Sequence, residues 1–272
     1  MTTGLKMKRA NSMTRSSKSR RSSNPASKTS GLARTHGGLV FIRRFQNALA
    51  KHEFLPRGSK VIVAVSGGPD SVALLTVLVR LREKHGFTLR AAHVNYQLRG
   101  CDSEQDEALV RKHCKSLSVP LSVLHPKERP DSNIEERLRH IRYHFFERLR
   151  KKYDFDVIVT AHTMNDVAET LLLNLIRGAG EKGLSPFQRP VSSLSRPFVH
   201  LQKSEILDFL QDEKIPFRID RSNASRRFTR NRVRHELLPL LETFNPSIVE
   251  ALARAATAIG REGRKNPPSR EA

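Results

Sequence analysis

Apolar residues in this chain follow two rhythms. Short unbroken runs alternate with longer stretches in which apolar residues recur every three or four positions. Val61-Ile62-Val63-Ala64-Val65 is the clearest run and reads as a strand buried on both faces. Leu89–Val94, Leu121–Leu124 and Asp156–Ala161 read as three further strands. Helical patterns lie between them. One starts at Val72 and runs to about Lys84, and one is opened by the acids of Asp102–Glu107. Another covers Asn133–Arg150, with Ile134, Leu138, Ile141 and Phe145 on one face, and a fourth covers His162–Arg177. A short amphipathic helix over Leu39–Lys51 leads into the first strand. This alternation predicts an α/β fold built on a doubly wound, mostly parallel sheet with right-handed crossovers.

Ligands of such sheets sit at the carboxyl ends of the strands. Strand one ends at Ser66, strand two near His93 and strand four at His162, so these ends should border one crevice. Beyond Gly180 the alternation weakens. Lys203–Lys214, Thr229–Thr243 and Pro246–Arg261 read as helices, and Phe217–Asp220 as extended chain. The expected organisation is a polar arm over residues 1–36, an α/β domain over 37–220, a small helical C-terminal extension over 221–262 and a charged tail over 263–272.

The turn after strand one carries chemistry. Ser66-Gly67-Gly68-Pro69-Asp70-Ser71 joins a β-branched run to a helix, which is how α/β proteins build an anion site. Adjacent glycines let the backbone turn sharply and bring N–H groups close to a phosphate. The positive end of the helix faces the same phosphate, and Ser66 and Ser71 add hydroxyls. Asp70 would repel phosphates unless Mg²⁺ sat between them, an ion commonly held by one or two carboxylates plus phosphates. A Walker-type loop needs a longer glycine-rich segment ending in Gly-Lys-Ser/Thr, which is not found here. An ordinary glycine turn without a ligand is the plain alternative.

Charge changes the picture of the partner. The formal net charge is +22, and residues 1–52 hold 12 Lys and Arg with no acid. The remainder has 37 basic against 27 acidic residues, so it is basic by itself. A field of that sign attracts polyanions. No stretch approaches the roughly 20 apolar residues of a membrane span, so no membrane role is expected. Cys101 and Cys114 lack metal or redox spacing and read as free thiols in a reducing compartment, the cytoplasm. The arm lacks the apolar core of a secretory signal, but its composition also suits an organelle transit peptide, a basic tRNA-binding arm or a linker.

A second constellation opens the helix after strand four. His162, Asp166 and Glu169 are spaced i, i+4 and i+7, which predicts one helix face able to hold Mg²⁺, orient a nucleophile or take a proton. The plain alternative is capping by Thr163 or Asn165. Arg137, Arg139, Arg142, Arg148 and Arg150 form one basic cluster, and Arg226, Arg227, Arg230, Arg232 and Arg234 another beside Asn223 and Asn231. Arginine suits bidentate contacts to phosphates and base edges.

Several blocks together resemble one family. Ser66–Ser71 is similar to the SGGxDS pyrophosphate loop of the ATP-pyrophosphatases. Thr160-Ala161-His162 through Asp166, then Ala168-Glu169-Thr170, Leu171-Leu172 and Arg177-Gly178-x-Gly180, resembles the TAHxxDDQAETxLLxLxRGxG block of tRNA(Ile)-lysidine synthetases. His93-Val94-Asn95-x-x-Leu98-Arg99-Gly100 resembles their HVNHGLRG block, and Asn133-x-Glu135 with Arg139 and Arg142-Tyr143 their Asn/Arg/Arg-Tyr helix. Arg196-Pro197 with Lys203, Glu205 and Ile206, and Asp220-x-Ser222-Asn223 with Arg230-Asn231-x-x-Arg234 and Leu237-Leu238-Pro239, resemble two further segments. The likeness spans about residues 58–240.

The resemblance implies an adenine nucleotide alpha hydrolase-like PP-loop domain. It also implies an ATP-dependent ligase that joins free L-lysine to carbon 2 of the wobble cytidine in the CAU anticodon of isoleucine tRNA. ATP and Mg²⁺ are the implied substrate and cofactor, and a homodimer is compatible with it. It carries over Asp70, Asp166, Glu169 and Arg234 as catalytic, with Asp70 and Asp166 as Mg²⁺ ligands. ATP contacts would come from Ser66, Gly67, Gly68, Pro69, Asp70, Ser71, His93 and His162. Contacts to tRNA would come from Arg139, Arg142, Asn223, Arg230, Asn231 and Arg234. Asn165, Val167 and Tyr96 stand where the family usually has Asp, Gln and His. A thiolase of the same superfamily and a catalytically weakened tRNA-binding homologue are the other readings.

Overall fold

The computed structural model describes Met1 and residues 35–52, 54–127, 134–184, 193–219 and 229–265. Residues 2–34 of the arm, Asn133, Asp220, Asn223, Arg226, Arg227 and residues 266–272 of the tail lie outside the described residues. Five parallel strands form one sheet in the order β3-β2-β1-β4-β5. They are β1 (Lys60–Ala64), β2 (Thr88–Val94), β3 (Leu121–Leu124), β4 (Val157–Val159) and β5 (Leu194–Ser195). Helices α1 (His36–His52), α2 (Pro69–His85), α3 (Cys101–Ser116), α4 (Ile134–Lys152), α5 (Met164–Ile176), α6 (Glu181–Leu184) and α7 (Lys203–Asp212) surround it. A 3₁₀ turn, Pro197–His200, links β5 to α7.

The apolar run at β1 is continuous because both its faces are covered. Val61 and Val63 pack with Leu89 and Ala91 of β2 under α1, α2, α3 and α7, in a core that includes Phe45, Leu74, Leu78, Phe198 and Phe209. Ile62, Ala92 and Ile158 point to the opposite face and meet Phe145, Phe146 and Leu149 of α4. A parallel sheet needs such double cover, which the βα crossovers supply. Below the sheet surface Arg80 of α2 and Glu213 form a buried ion pair, and Glu213 also accepts the Thr35 amide and hydroxyl.

Chain order places β1 at the turning point of the sheet. The chain runs outward from β1 through β2 to β3, then returns to β4 on the other side of β1. The carboxyl ends of β1 and β4 therefore flank the crevice where helices diverge, the ligand position expected for such sheets.

The last described segment is α8 (Thr229–Arg232), a π-helical turn (Val233–Leu237), α9 (Leu238–Phe244) and α10 (Ile248–Lys265). Val233, Leu238 and Val249 pack against Ala168, Leu172 and Leu173 of α5, and Ala256 against Val167 and Leu171. The triple leucine at 171–173 is buried by these helices, so the extension covers α5 directly.

The structure corrects two boundaries and two element readings. β4 stops at Val159, two residues short of the apolar run, and the helix after it starts at Met164 rather than His162 because Thr163 caps it. The stretch expected as one helix over 229–243 contains the π turn. β5, two residues long, has no periodicity from which to be read.

Candidate active site

The loop between β1 and α2 is built open toward the crevice. Gly67 takes φ +96°, a backbone conformation that side chains rarely adopt, and a Cβ there would meet the Asp106 carbonyl oxygen at 3.4 Å. Gly68 caps α2 with no side chain folded over the first turn, and Pro69 fills the start of the helix. The two serines brace this arrangement. Ser71 Oγ donates to Gly68 O (3.0 Å) and receives the Ser66 N–H (3.0 Å). Its single proton is then spent, so Ser66 Oγ donates to Ser71 Oγ (3.1 Å) while accepting the Gly68 N–H (3.3 Å). The hydroxyls hold the loop's shape in this state rather than projecting from it.

Asp70 lies in the first turn of α2. Its Oδ1 is buried without a hydrogen-bond partner, and its Oδ2 is 4.0 Å from Lys203 Nζ. Burial pushes the carboxyl up to about 6, against the pull of Lys203 and with the help of Asp166. Asn165 Oδ1 accepts the Lys203 backbone N–H (2.9 Å) and so fixes the start of α7, which carries Lys203.

The entry to α5 is closed by its own side chains. Asp166 Oδ2 accepts the Thr163 N–H (2.8 Å) and hydroxyl (3.0 Å), while the Asp166 N–H reaches Thr163 Oγ1 (3.3 Å), a capping box. Burial works to raise the Asp166 carboxyl, but His162, the Thr163 donors and Arg230 outweigh it and hold it below the usual range. His162 stands before the helix with Nδ1 at 2.9 Å from Thr160 Oγ1, and burial lowers it to about 4, so it is neutral at pH 7.

Glu169 is buried and gripped from the C-terminal helices. Arg234 Nε and Nη2 donate to its two oxygens at 2.6 and 2.8 Å, and Arg230 Nε adds a bond of 3.1 Å. The same guanidinium groups stand 3.7 and 3.6 Å from Asp166 Oδ1. Burial disfavours the charge on Arg234, but Glu169, Asp166 and Asp70 reverse that and leave it raised. Arg234 sits within the π turn, a local distortion often found at functional sites.

These pieces open on a cavity of about 220 Å³ lined by Ser66, Asp70 and Ser71, by Thr160, Ala161 and His162, and by Tyr96, Arg142 and Tyr143. A loop with an uncapped helix N-terminus and a carboxylate with an orphan oxygen line this crevice, and the arginine–carboxylate array lies close enough to act on that carboxylate. That combination suits an anionic substrate carried with a cation.

The profile of the PP-loop domain family matches residues 39–241. The chain belongs to the PP-loop family. A tRNA(Ile)-lysidine synthase of Porphyromonas gingivalis is 42% identical over 220 residues, covering 78% of this chain and 47% of that protein. One from Clostridium acetobutylicum is 37% identical over 221 residues, with coverage of 78% and 48%. The chain thus spans about half the length of the curated relatives it matches. Among solved structures, a U34-tRNA thiolase from Methanococcus maripaludis superposes with a TM-score of 0.70 at 19% identity, over 82% of this chain and 80% of that one. That likeness concerns the fold alone.

With the PP-loop assigned, the expected residues other than Asn223 have a place. Ser66 through Ser71 form the loop, and His162, Asp70 and Arg142 reach the cavity. His93 does not line it. Its Nδ1 donates to Val65 O (2.8 Å) beneath the loop, so it supports the loop's start. His162, Asp166 and Glu169 do not share one helix face, because the helix begins after His162. Asp166 Oδ2 is spent on the cap and Glu169 on two arginines, so neither is an unengaged base in this arrangement. Arg230 and Arg234 turn inward to the acids, and Asn231 is buried. Arg139 lies 5.0 Å over the Tyr143 ring, and Asn223 is outside the described residues. Lys203 beside Asp70, and Tyr96, whose hydroxyl donates to Leu138 O (2.8 Å), are two further residues to which the sequence assigns no role. Asp70 fits Mg²⁺ through its unpartnered oxygen. Among the described residues no three His, Cys, Asp or Glu side chains gather for a metal, so such an ion would take most of its shell from phosphate and water.

Proposed function

We propose that this chain catalyses ATP-dependent joining of L-lysine to carbon 2 of the wobble cytidine in an isoleucine tRNA with a CAU anticodon. The observation that carries this is the open PP-loop lining the cavity, with an acid–arginine array close enough to act on its Asp70, in a chain 42% identical over 220 residues to a lysidine synthase. The loop and the start of α2 bind the outer phosphates of ATP. The cytosine O2 attacks the α-phosphorus, the bond to the bridging oxygen breaks and pyrophosphate leaves. The lysine ε-amine then attacks carbon 2 and AMP departs with the oxygen. Asp70 would hold Mg²⁺, which neutralises phosphate charge when bound. Lys203 supplies a second positive charge beside the phosphates.

The acids serve the amine. Two arginines balance the charge of Asp166 and Glu169, and Asp166 Oδ1, which makes only long ion pairs to them, is the oxygen left to orient the amine. Arg234 and Arg230 fix Glu169 so that the acids keep their positions. Neutral His162 lines the nucleotide side of the cavity. Arg139, Arg142 and Asn223 contact tRNA, whose anticodon base must leave its stack to be read. Cys114 lies in the core with its thiol pushed up to about 11, and neither cysteine lines the cavity, which favours ligation over thiolation. Both free thiols suit the cytoplasm.

The test is incubation with ATP, labelled lysine and isoleucine tRNA, followed by mass spectrometry of the digested nucleosides. One lysine on the wobble cytidine with release of pyrophosphate is expected. Retention of tRNA without turnover, or sulfur in place of lysine, would refute the proposal.

A further inference from the structure

Residues 215–219, which follow α7, form a strap along the PP-loop. His113 of α3, buried so that its charged form is disfavoured, donates from Nε2 to Pro216 O (2.7 Å). Two residues later Arg218 fans out over the first turns of α3. Its Nε donates to Asp106 Oδ1 (2.6 Å) and its Nη2 to Asp102 Oδ1 (2.9 Å). Arg99 Nη2 holds the other oxygen of Asp106 (2.8 Å). Between these anchors the Arg218 backbone N–H donates to Gly67 O at 3.1 Å. Asp106 is also the residue against which Gly67 packs. Strap, α3 and loop therefore meet at one point.

The backbone bond has a directional consequence. In a trans peptide the C=O and N–H point opposite ways. With Gly67 O fixed on the strap, the Gly68 N–H faces the other side, toward Ser66 Oγ and the cavity that Ser66 and Ser71 line. A flip of this peptide would turn a carbonyl oxygen toward the phosphates, and glycine on both sides offers little resistance to it. We infer that Arg218 is a positioning residue of the phosphate loop. Its side chain pins the strap to α3, so that its backbone N–H holds the Gly67–Gly68 peptide in the orientation that receives phosphate. Arg218 itself need not touch the nucleotide. This rests on the loop being the pyrophosphate site of the proposed ligase.

Calorimetric titration of the full chain with magnesium pyrophosphate and, separately, with AMP tests it. Arg218→Ala is expected to weaken pyrophosphate binding about tenfold, equivalent to one hydrogen bond, and to leave AMP binding within about twofold. Arg218→Lys, keeping the charge with fewer contacts, falls between. Unchanged pyrophosphate affinity in Arg218→Ala, or equal losses for both probes, would overturn the inference. Should circular dichroism show that the alanine variant is unfolded, Asp102→Asn removes one anchor only. A smaller loss confined to pyrophosphate is expected there, and none would overturn the inference. A wild-type chain that binds no pyrophosphate would overturn the loop reading as well, whereas selective failure of the variants leaves that reading standing.

Discussion

Two strand-to-helix junctions flank the cavity, and their helices begin in opposite ways. At β1–α2 the first turn has a glycine cap, no side chain over it and a carboxylate oxygen without a partner. At β4–α5 a threonine and an aspartate close the first turn reciprocally. An uncapped N-terminus leaves N–H groups and a positive dipole for a guest, while a capped one satisfies itself and gains rigidity. The first junction is shaped to receive phosphate, and the second holds its acids still beside it. The two junctions thus divide into an open turn and a brace, although both are strand-to-helix turns of one sheet.

The sharpest way to break this contrast is Asp70→Asn. Turnover is expected to fall by about a thousandfold or more, because charge neutralisation at the phosphates is lost. Stability should move the other way. The Asp70 carboxyl rises from its ordinary 3.8 to about 6 on folding, so the folded chain binds that proton more tightly. Its contribution is complete below pH 4 and is lost as pH rises through 6. At pH 8 the amide variant should therefore be more stable by about 3 kcal/mol, and the two should converge as pH falls below 4. Urea melts at pH 8 and below pH 4, beside an activity assay, check this; a variant destabilised at pH 8 would contradict the open-junction account.

A smaller effect probes the brace from its far side. Glu169→Gln leaves Arg234 and Arg230 without their buried carboxylate and should cost about 3 kcal/mol, lowering the melting temperature by several degrees. Pyrophosphate affinity should change little, since the open junction is untouched. The smallest effect belongs to Thr163→Ala, which removes the capping box and should cost about 1 kcal/mol. If that variant lost pyrophosphate binding as Asp70→Asn loses turnover, the division between the junctions would fail.

Much of this was legible in sequence because the signals are local. The Val61–Val65 run, the Gly67-Gly68 turn and the helix after it depend on neighbours within a few residues, and the doubly wound parallel sheet followed from their alternation. Asp166 was read as a facing acid, yet Thr163 three residues earlier marks a cap, the bland alternative that proved structurally correct. Other features were hidden by distance. Glu169 pairs with arginines 61 and 65 positions away, and Arg218 reaches α3 across more than 100 residues. No periodicity encodes such pairs, and the π turn that carries Arg234 has no composition of its own.

One consequence of the core concerns labelling. With the sulfur of Cys114 sealed among apolar side chains and Cys101 at the exposed start of α3, a thiol-seeking dye has a single address on the folded chain. That address adjoins Asp102, the anchor gripped by Arg218. A fluorophore attached there would sit next to the strap and report on its loosening without any engineered cysteine.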